Sequence, residues 1–323
     1  MHIDTVVGDR LVHKPKFLAA LFAAAFALFF AINVSDTSLG ISLASLIGNM
    51  VAGDAYGRGI IALILAAIFV ADIAIIGFLP LRAQLIVVWL QLAVLFLAFF
   101  LVFHLSFPFI LSKLRFMIVQ GVVTTLYVSA IAISISFMLA IAGAIAKLSN
   151  NGFAIAIANF YTSLFRGLPL LMQVYLIYLG LPQLGYVVDA IPAGVAALSL
   201  CYGAYMTEIF RAGIESIPKG QWEASRALGF KFGLTMRRII LPQAIPVIVP
   251  PTGNQFIAML KDSSLVSVIG VWEVMFLART MGTKTFQHME MLITAAMIYW
   301  ILSMGLEAVQ SRIEAYYRRR GAR

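Results

Sequence analysis

Residues Glu215 to Pro242 read E-S-I-P-K-G-Q-W-E-A-S-R-A-L-G-F-K-F-G-L-T-M-R-R-I-I-L-P. Long apolar runs flank this stretch on both sides. Runs of about 18 or more apolar residues read as membrane-spanning helices. The charges between them therefore mark a segment that stands in water and offers a surface to something else. Pro218 and Gly220 break what precedes them. Gln221–Leu228 is rich in helix formers, and Gly229 sits where a helix ends, because glycine takes the left-handed conformation without steric cost. The spacing predicts helix, glycine, then a second short helix over Lys231–Leu241 that stops at Pro242. Ala224, Ala227 and Leu228 share one face at i, i+3, i+4. That face is small and apolar, with Glu223 and Arg226 beside it.

Outward from this stretch the chain is 62% hydrophobic and only 11% charged over 323 residues. A soluble domain averages about 45–50% apolar and about 25% charged. The net charge is +9, but the Lys and Arg lie beside apolar runs, as in cytoplasmic loops of membrane proteins, so no nucleic-acid partner is expected. One cysteine, Cys201, excludes an internal disulfide framework and a cysteine metal cluster; in an apolar helix it reads as a small packing residue. His2, His13, His104 and His288 share no metal-ligand spacing, and no G-x-x-x-x-G-K-[ST] loop occurs. No metal and no cofactor is expected on this chain, and no catalytic constellation is visible.

The fold expected is all-α, a polytopic bundle of eight spans at about Phe17–Val34, Gly59–Phe78, Leu85–Ile110, Gly121–Ala146, Ala154–Leu181 (interrupted at Arg166-Gly167-Leu168-Pro169), Ala190–Phe210, Ile245–Leu260 and Met291–Val309. Ser35–Arg58 reads as an external loop, and Ser112-Lys113-Leu114-Arg115 as a separator. Residues 1–115 then form a three-span extension and 116–323 a core, with the polar loop at 213–242. Arg10, Lys14 and Lys16 place the N-terminus in the cytoplasm, as Arg318-Arg319-Arg320 do the C-terminus; Lys113 and Arg115 fall outside and count against this. Ser136, Ala140 and Ala144, spaced by four, predict close helix packing.

Two readings of the polar loop stand on the residues alone: an amphipathic segment lying on lipid, or a docking surface. Glu223-Ala224-Ser225 with Gly229 and Leu241-Pro242 resembles the E-A-A…G…I-L-P signature of bacterial ATP-binding-cassette importer permeases, with Ser225 where alanine usually stands. Further stretches resemble the polar amino acid branch of that family: Ala204-Tyr205 with Glu208 to Ile214, Phe165 to Leu171 with Gln173, Tyr178 and Gly180-Leu181-Pro182, and Pro250 to Gln255 followed by Lys261 to Leu265. The likeness covers about Val119–Arg320 and leaves Met1–Arg115 unmatched.

The resemblance implies a permease subunit in the bacterial inner (plasma) membrane that is not itself an enzyme. Its implied partners are an ATPase dimer that carries ATP and Mg, a second permease chain (homo- or heterodimer), an external substrate-binding protein, a polar amino acid substrate and the lipid membrane. It places ATPase coupling on Gly220, Glu223, Ala224, Ser225, Ala227, Leu228, Gly229, Leu241 and Pro242.

Intramembrane polar groups are functional candidates by default, because unpaired they are costly. Asn254 and Gln255, after Pro250-Pro251 and Gly253, form the best cluster, since such interruptions free backbone groups for a ligand. Helix-to-helix hydrogen bonding is the alternative. Arg166, Gln173, Tyr205, Ser263 and Ser264 complete the candidate pathway. Some of the permeases the chain resembles that carry cationic amino acids have an acidic residue at the Gln255 position, so by that resemblance the neutral Gln255 weighs against a specialist for lysine or arginine. Glu208 and Arg211 are spaced to pair at i, i+3, and Lys261-Asp262 is a candidate local ion pair. An ion-coupled secondary transporter or a channel is the competing class; it predicts inverted repeats and intramembrane acids, and only Asp72 stands alone as such an acid in the unmatched region.

Overall fold

The computed structural model describes residues 14–37, 40, 41, 43, 55–101 and 105–321, and among these every regular element is helical. In chain order they are α1 (Pro15–Ala31), α2 (Ala55–Phe78), α3 (Leu81–Leu101), α4 (Phe107–Leu148), α5 (Gly152–Gly167), α6 (Leu170–Gln183), α7 (Ala190–Glu215), α8 (Lys219–Ala227), α9 (Phe232–Ile269), α10 (Val274–Thr285) and α11 (His288–Gly321). Six of them are long and apolar enough to cross a membrane, and α5 with α6, bent by 106° at their junction, supply a seventh if taken as one span. At 17 residues α1 is shorter, about 26 Å at 1.5 Å per residue against a hydrocarbon core of about 30 Å. Arg10 and most of the expected loop Ser35–Arg58 lie outside the described residues, as do the side chains of Arg318, Arg319 and Arg320.

The chain divides into two compact units, Met1–His104 and Leu105–Arg323. In the first, α1 packs on α2, with Phe29 edge-on to Phe69 at 6.2 Å, over the buried Ile61, Ala62 and Ala66. Gln84 closes the α2–α3 turn by donating to the carbonyl of Leu79 at 2.8 Å. Asp72 accepts a hydrogen bond of 2.7 Å from Gln91 on α3.

The second unit is built around α7, the most enclosed of its helices. Its neighbours are α4, α5 and α9. The small-residue row on α4 does what its spacing predicts: Ser136, Ala140 and Ala144 are buried, Ala140 and Ala144 packing against Met206 and Phe210 of α7. A Cβ at Gly143 would come 2.5 Å from Thr207 Oγ1, so the backbones meet there. The hydroxyls exchange bonds between the helices: Ser136 Oγ donates to Ser199 O at 3.2 Å and Ser199 Oγ to Ala132 O at 3.3 Å. In hydrocarbon such bonds replace the missing water.

Three boundaries differ from expectation. Ser112–Arg115 does not separate two helices: α4 runs unbroken from Phe107 to Leu148, since Lys and Arg are good helix formers and charge interrupts an apolar run without interrupting a helix. Phe109, Ile110 and Leu114 pack on the cluster of Met117, Val274, Ala278, Met291, Ala295 and Ile298, so residues 105–115 belong to the second unit. Pro242 does not end a helix; α9 runs on through it, with Pro242 in the first α-helical turn of the stretch Leu241–Asp262. A π-turn at Met236–Ile240 immediately precedes it, and the wider ring gives room at the carbonyl of Arg238, the group a proline ring would otherwise strike. The break at Gly167–Leu170 is present as expected, and sharper than an interruption of one helix.

Candidate functional site

The polar stretch folds as α8, and its end is fixed by glycine. Gly229 has φ +73°. Across it the Phe230 amide donates to Ser225 O at 3.0 Å and the Gly229 amide to Arg226 O at 2.9 Å, the paired bonds of a Schellman cap. One face of α8 is seated on the bundle: Trp222 packs with Ile214, Ile217, Ile240 and Ala244 and stacks on Phe232 at 6.3 Å. Ser225 lies on this inner face, 0% exposed, donating to Gln221 O at 2.6 Å. It therefore lies against the bundle and not on the exposed face of α8. The opposite face carries Gly220, Glu223, Ala224, Ala227 and Leu228, all exposed, Leu228 at 70%. Leu241 packs into the seating cluster, and Pro242 is exposed. The exposed face is small and largely apolar, with Glu223 at its edge.

A cavity of about 540 Å³ lies at the broken helix. Arg166, Gly167, Leu168, Pro169 and Leu170 form one wall; Cys201, Tyr202 and Tyr205 of α7 form another; Gln255 and Asp262 of α9 close it. Tyr202 is near the middle of α7, so the cavity sits near mid-span. The Arg166 guanidinium lies 5.4 Å from the Tyr205 ring centre, a cation–π distance. Asp262 accepts from Tyr202 Oη at 2.7 Å, which places an acid in the cavity and replaces the local pairing with Lys261. The start of α6, a helix N-terminus with a positive dipole end, faces the same space through Leu170. The cavity lining thus holds both a cationic and an anionic side chain.

The break itself is held by Gln173. Its Nε2 donates to the carbonyls of Phe165 and Leu168, both at 2.9 Å, satisfying groups that the end of α5 leaves free. Gln173 is 2% exposed and supports the cavity without lining it. Asn254 and Gln255 part company: Gln255 lines the cavity, while Asn254 Oδ1 accepts from Gln310 Nε2 of α11 at 2.9 Å, because adjacent residues on a helix point about 100° apart. Ser263 is fully buried and donates to Leu260 O at 2.7 Å; Ser264 is half-buried. Neither lines the cavity.

Beside the cavity, on the side toward α8, Glu208 gathers three cations. Lys147 Nζ bonds its Oε1, Arg211 its Oε2 at 2.9 Å, and Arg166 NH1 stands 3.8 Å from Oε1. The expected i, i+3 pair with Arg211 is present, and Arg211 also reaches Glu215 at 2.5 Å. Lys147 and Arg166 lie 61 and 42 residues from Glu208, beyond any local spacing rule.

Sequence reading also missed Glu273. It is 0% exposed and caps α10, accepting from the amides of Met275 at 2.8 Å and Phe276 at 2.6 Å, with Tyr299 Oη donating to it as well. Burial pushes its carboxyl up to about 6, against the hydrogen bonds that lower it. A Trp-Glu-Val order before an apolar helix is a weak N-cap signal, since Glu is not a favoured cap.

Residues 138–319 match the family described as binding-protein-dependent transport system inner membrane component. The arginine transport system permease protein ArtQ of Bacillus subtilis is 41% identical over 212 residues, 65% of this chain and 96% of that protein. The probable glutamine ABC transporter permease protein GlnM of the same organism is 35% identical, over 62% of this chain and 95% of its own length. A solved amino acid ABC transporter crystallised with histidines is 35% identical, with TM-score 0.62, over 66% of this chain and 99% of that one. The MetNI methionine ABC transporter shares the fold at 19% identity, with TM-score 0.55. The unit Met1–His104 lies outside the family match.

Proposed function

This chain belongs to the family of binding-protein-dependent transport system inner membrane components, and from that premise we propose that it forms the membrane pathway of an ATP-driven importer of polar amino acids. The observation that carries the reading is the exposed face Glu223, Ala224, Ala227 and Leu228 on a helix otherwise seated in the bundle. A separate ATPase pair docks there on the cytoplasmic side, and its closure moves α8. Because α8 is seated against α7 and α9, that movement reaches the cavity these helices line.

The substrate passes through the cavity beside Arg166. An amino acid carries a carboxylate and an ammonium, and the cavity lining holds both Arg166, with the start of α6, and Asp262. Gln255 fixes a polar side group. Relatives named for arginine and glutamine transport fit a polar cargo, and Asp262 offsets the neutrality of Gln255. The Glu208 cluster closes the route on the side of α8, opening when α7 shifts against α4 and α5. A binding protein delivers substrate from outside, and a second permease chain, identical or sister, supplies the other half of the pathway. Ligand and nucleotide must each prefer one state for coupling to exist.

The test is reconstitution in vesicles with the ATPase and binding protein, measuring ATP-dependent uptake of arginine and glutamine. Uptake by this chain with no ATPase present would instead establish a secondary transporter.

A further inference from the structure

A second cavity opens on a different flank of the unit Leu105–Arg323. It encloses about 1070 Å³, twice the 540 Å³ beside Arg166. Its walls come from four spanning helices, with Ile141 of α4, Phe210 of α7, Ile245 and Val249 of α9 and Val309 of α11 among them. Polar atoms enter the lining side chains only at Ser149, Arg237, Thr252, Gln310 and Tyr317. A largely apolar groove open at the depth of spanning helices offers a surface that hydrocarbon chains can cover.

Charge meets the groove at Arg237 and, beside the lining residue Gln310, at Glu314, which accepts from Gln310 Nε2 at 2.7 Å. Arg237 lines the groove; Arg238 beside it is exposed. Arg312 is exposed next to Ile313, which also lines the groove. None of the three takes part in an ion pair among the described residues. The structure therefore joins an apolar slot within the spans to the Arg237 guanidinium, which has no ion-pair partner among the described residues. A lipid with hydrocarbon chains and an anionic head complements both parts; a zwitterionic or neutral lipid complements only the first.

We propose that this groove is a binding site for an anionic phospholipid, its chains against Ile141, Ile245 and Val249 and its phosphate on Arg237. The inference needs only that the chain spans a membrane and is independent of what is transported. Met236, Arg237 and Leu241 line the groove and belong to or adjoin the π-turn that leads into α9. A bound lipid braces that turn, and with it the connection from α8.

The experiment uses the purified full chain, stripped of lipid, then exposed to dioleoyl-phosphatidylglycerol or to dioleoyl-phosphatidylcholine and measured by native mass spectrometry. The wild type is expected to retain the glycerol lipid over the choline lipid. Arg237→Gln is expected to lower that retention roughly fivefold, the equivalent of about 1 kcal/mol per arginine near a charged headgroup, with retention of the choline lipid unchanged. Arg237→Lys keeps the charge and is expected to keep the preference. Val249→Trp, which fills the slot, is expected to lower retention of both lipids. Equal retention of the two lipids by the wild type, or an unchanged preference in Arg237→Gln, overturns the proposal. A photoreactive residue at position 249 gives an independent readout: cross-links to phospholipid support the site, and cross-links to a second copy of this chain overturn it.

Discussion

Glu208 stands 3.8 Å from Arg166, so one carboxylate joins the wall of the mid-span cavity to the ion cluster on the side of α8. The same carboxylate holds Lys147 and Arg211. Lys147 is 8% exposed and Glu208 19%. Arg166 and Arg211 are partly exposed, so removing the shared carboxylate leaves chiefly Lys147 uncompensated, at a cost on the order of 1 kcal/mol. Glu208→Gln is therefore expected to lower the thermal midpoint and raise substrate leak in the absence of ATP, both measurable in reconstituted vesicles. A tight, fully coupled Glu208→Gln variant would remove the gating role.

Gly229 has open space around its α-carbon, since an added Cβ meets nothing within 4 Å. Its φ of +73° is nevertheless strained for any other residue. Gly229→Ala is expected to cost about 1 kcal/mol and to lower transport per ATP hydrolysed, because the exit angle of α8 changes. Gly305→Ala is the control: that site is also open but lies inside α11, where alanine is favoured. Equal coupling ratios in the two variants would show that the cap does not set the docking geometry.

Gln173→Ala is expected to orphan the carbonyls of Phe165 and Leu168. Each unpaired buried group costs about 1–3 kcal/mol, so the 106° break loosens. Reduced thermal stability together with a raised KM for uptake is the expected pair of readouts. A stability loss with KM unchanged would separate the break from the substrate site.

Glu273 lies outside the spanning segments, between α9 and α10, and its carboxyl is pushed up to about 6 by burial. Between the ordinary value of 4.5 and about 6 the folded chain holds more protons than the unfolded one. Stability is therefore full below that window and falls as pH rises through it, by about 2 kcal/mol at 1.36 kcal/mol per unit. Above it the slope vanishes. Thermal midpoints measured from pH 4 to 7 are expected to show this fall in the wild type and a weaker one in Glu273→Gln. Identical slopes would assign the pH dependence to other groups.

Local chemistry accounts for what could be read from residue order. The apolar runs mark the spans because a segment in hydrocarbon must be apolar and internally bonded. Gly229 marks the end of α8 because only glycine takes a positive φ freely. The row Ser136, Ala140, Ala144 marks a close contact because its spacing follows the helix repeat. Each of these needs only a few neighbouring residues.

The sequence by itself determined an all-helical membrane chain with a rigid polar helix between two spans and a glycine at its end. Tertiary structure alone decided which face of that helix is free, turning Ser225 inward and Leu228 outward. It also sent Asn254 to Gln310 and Gln255 to the cavity, joined Glu208 to Lys147 and Arg166 across tens of residues, and brought Asp262 to Tyr202. These pairings depend on how α4, α5, α7, α9 and α11 rotate against one another. Rotation is set by packing over whole helix surfaces, and no short stretch of residues encodes it.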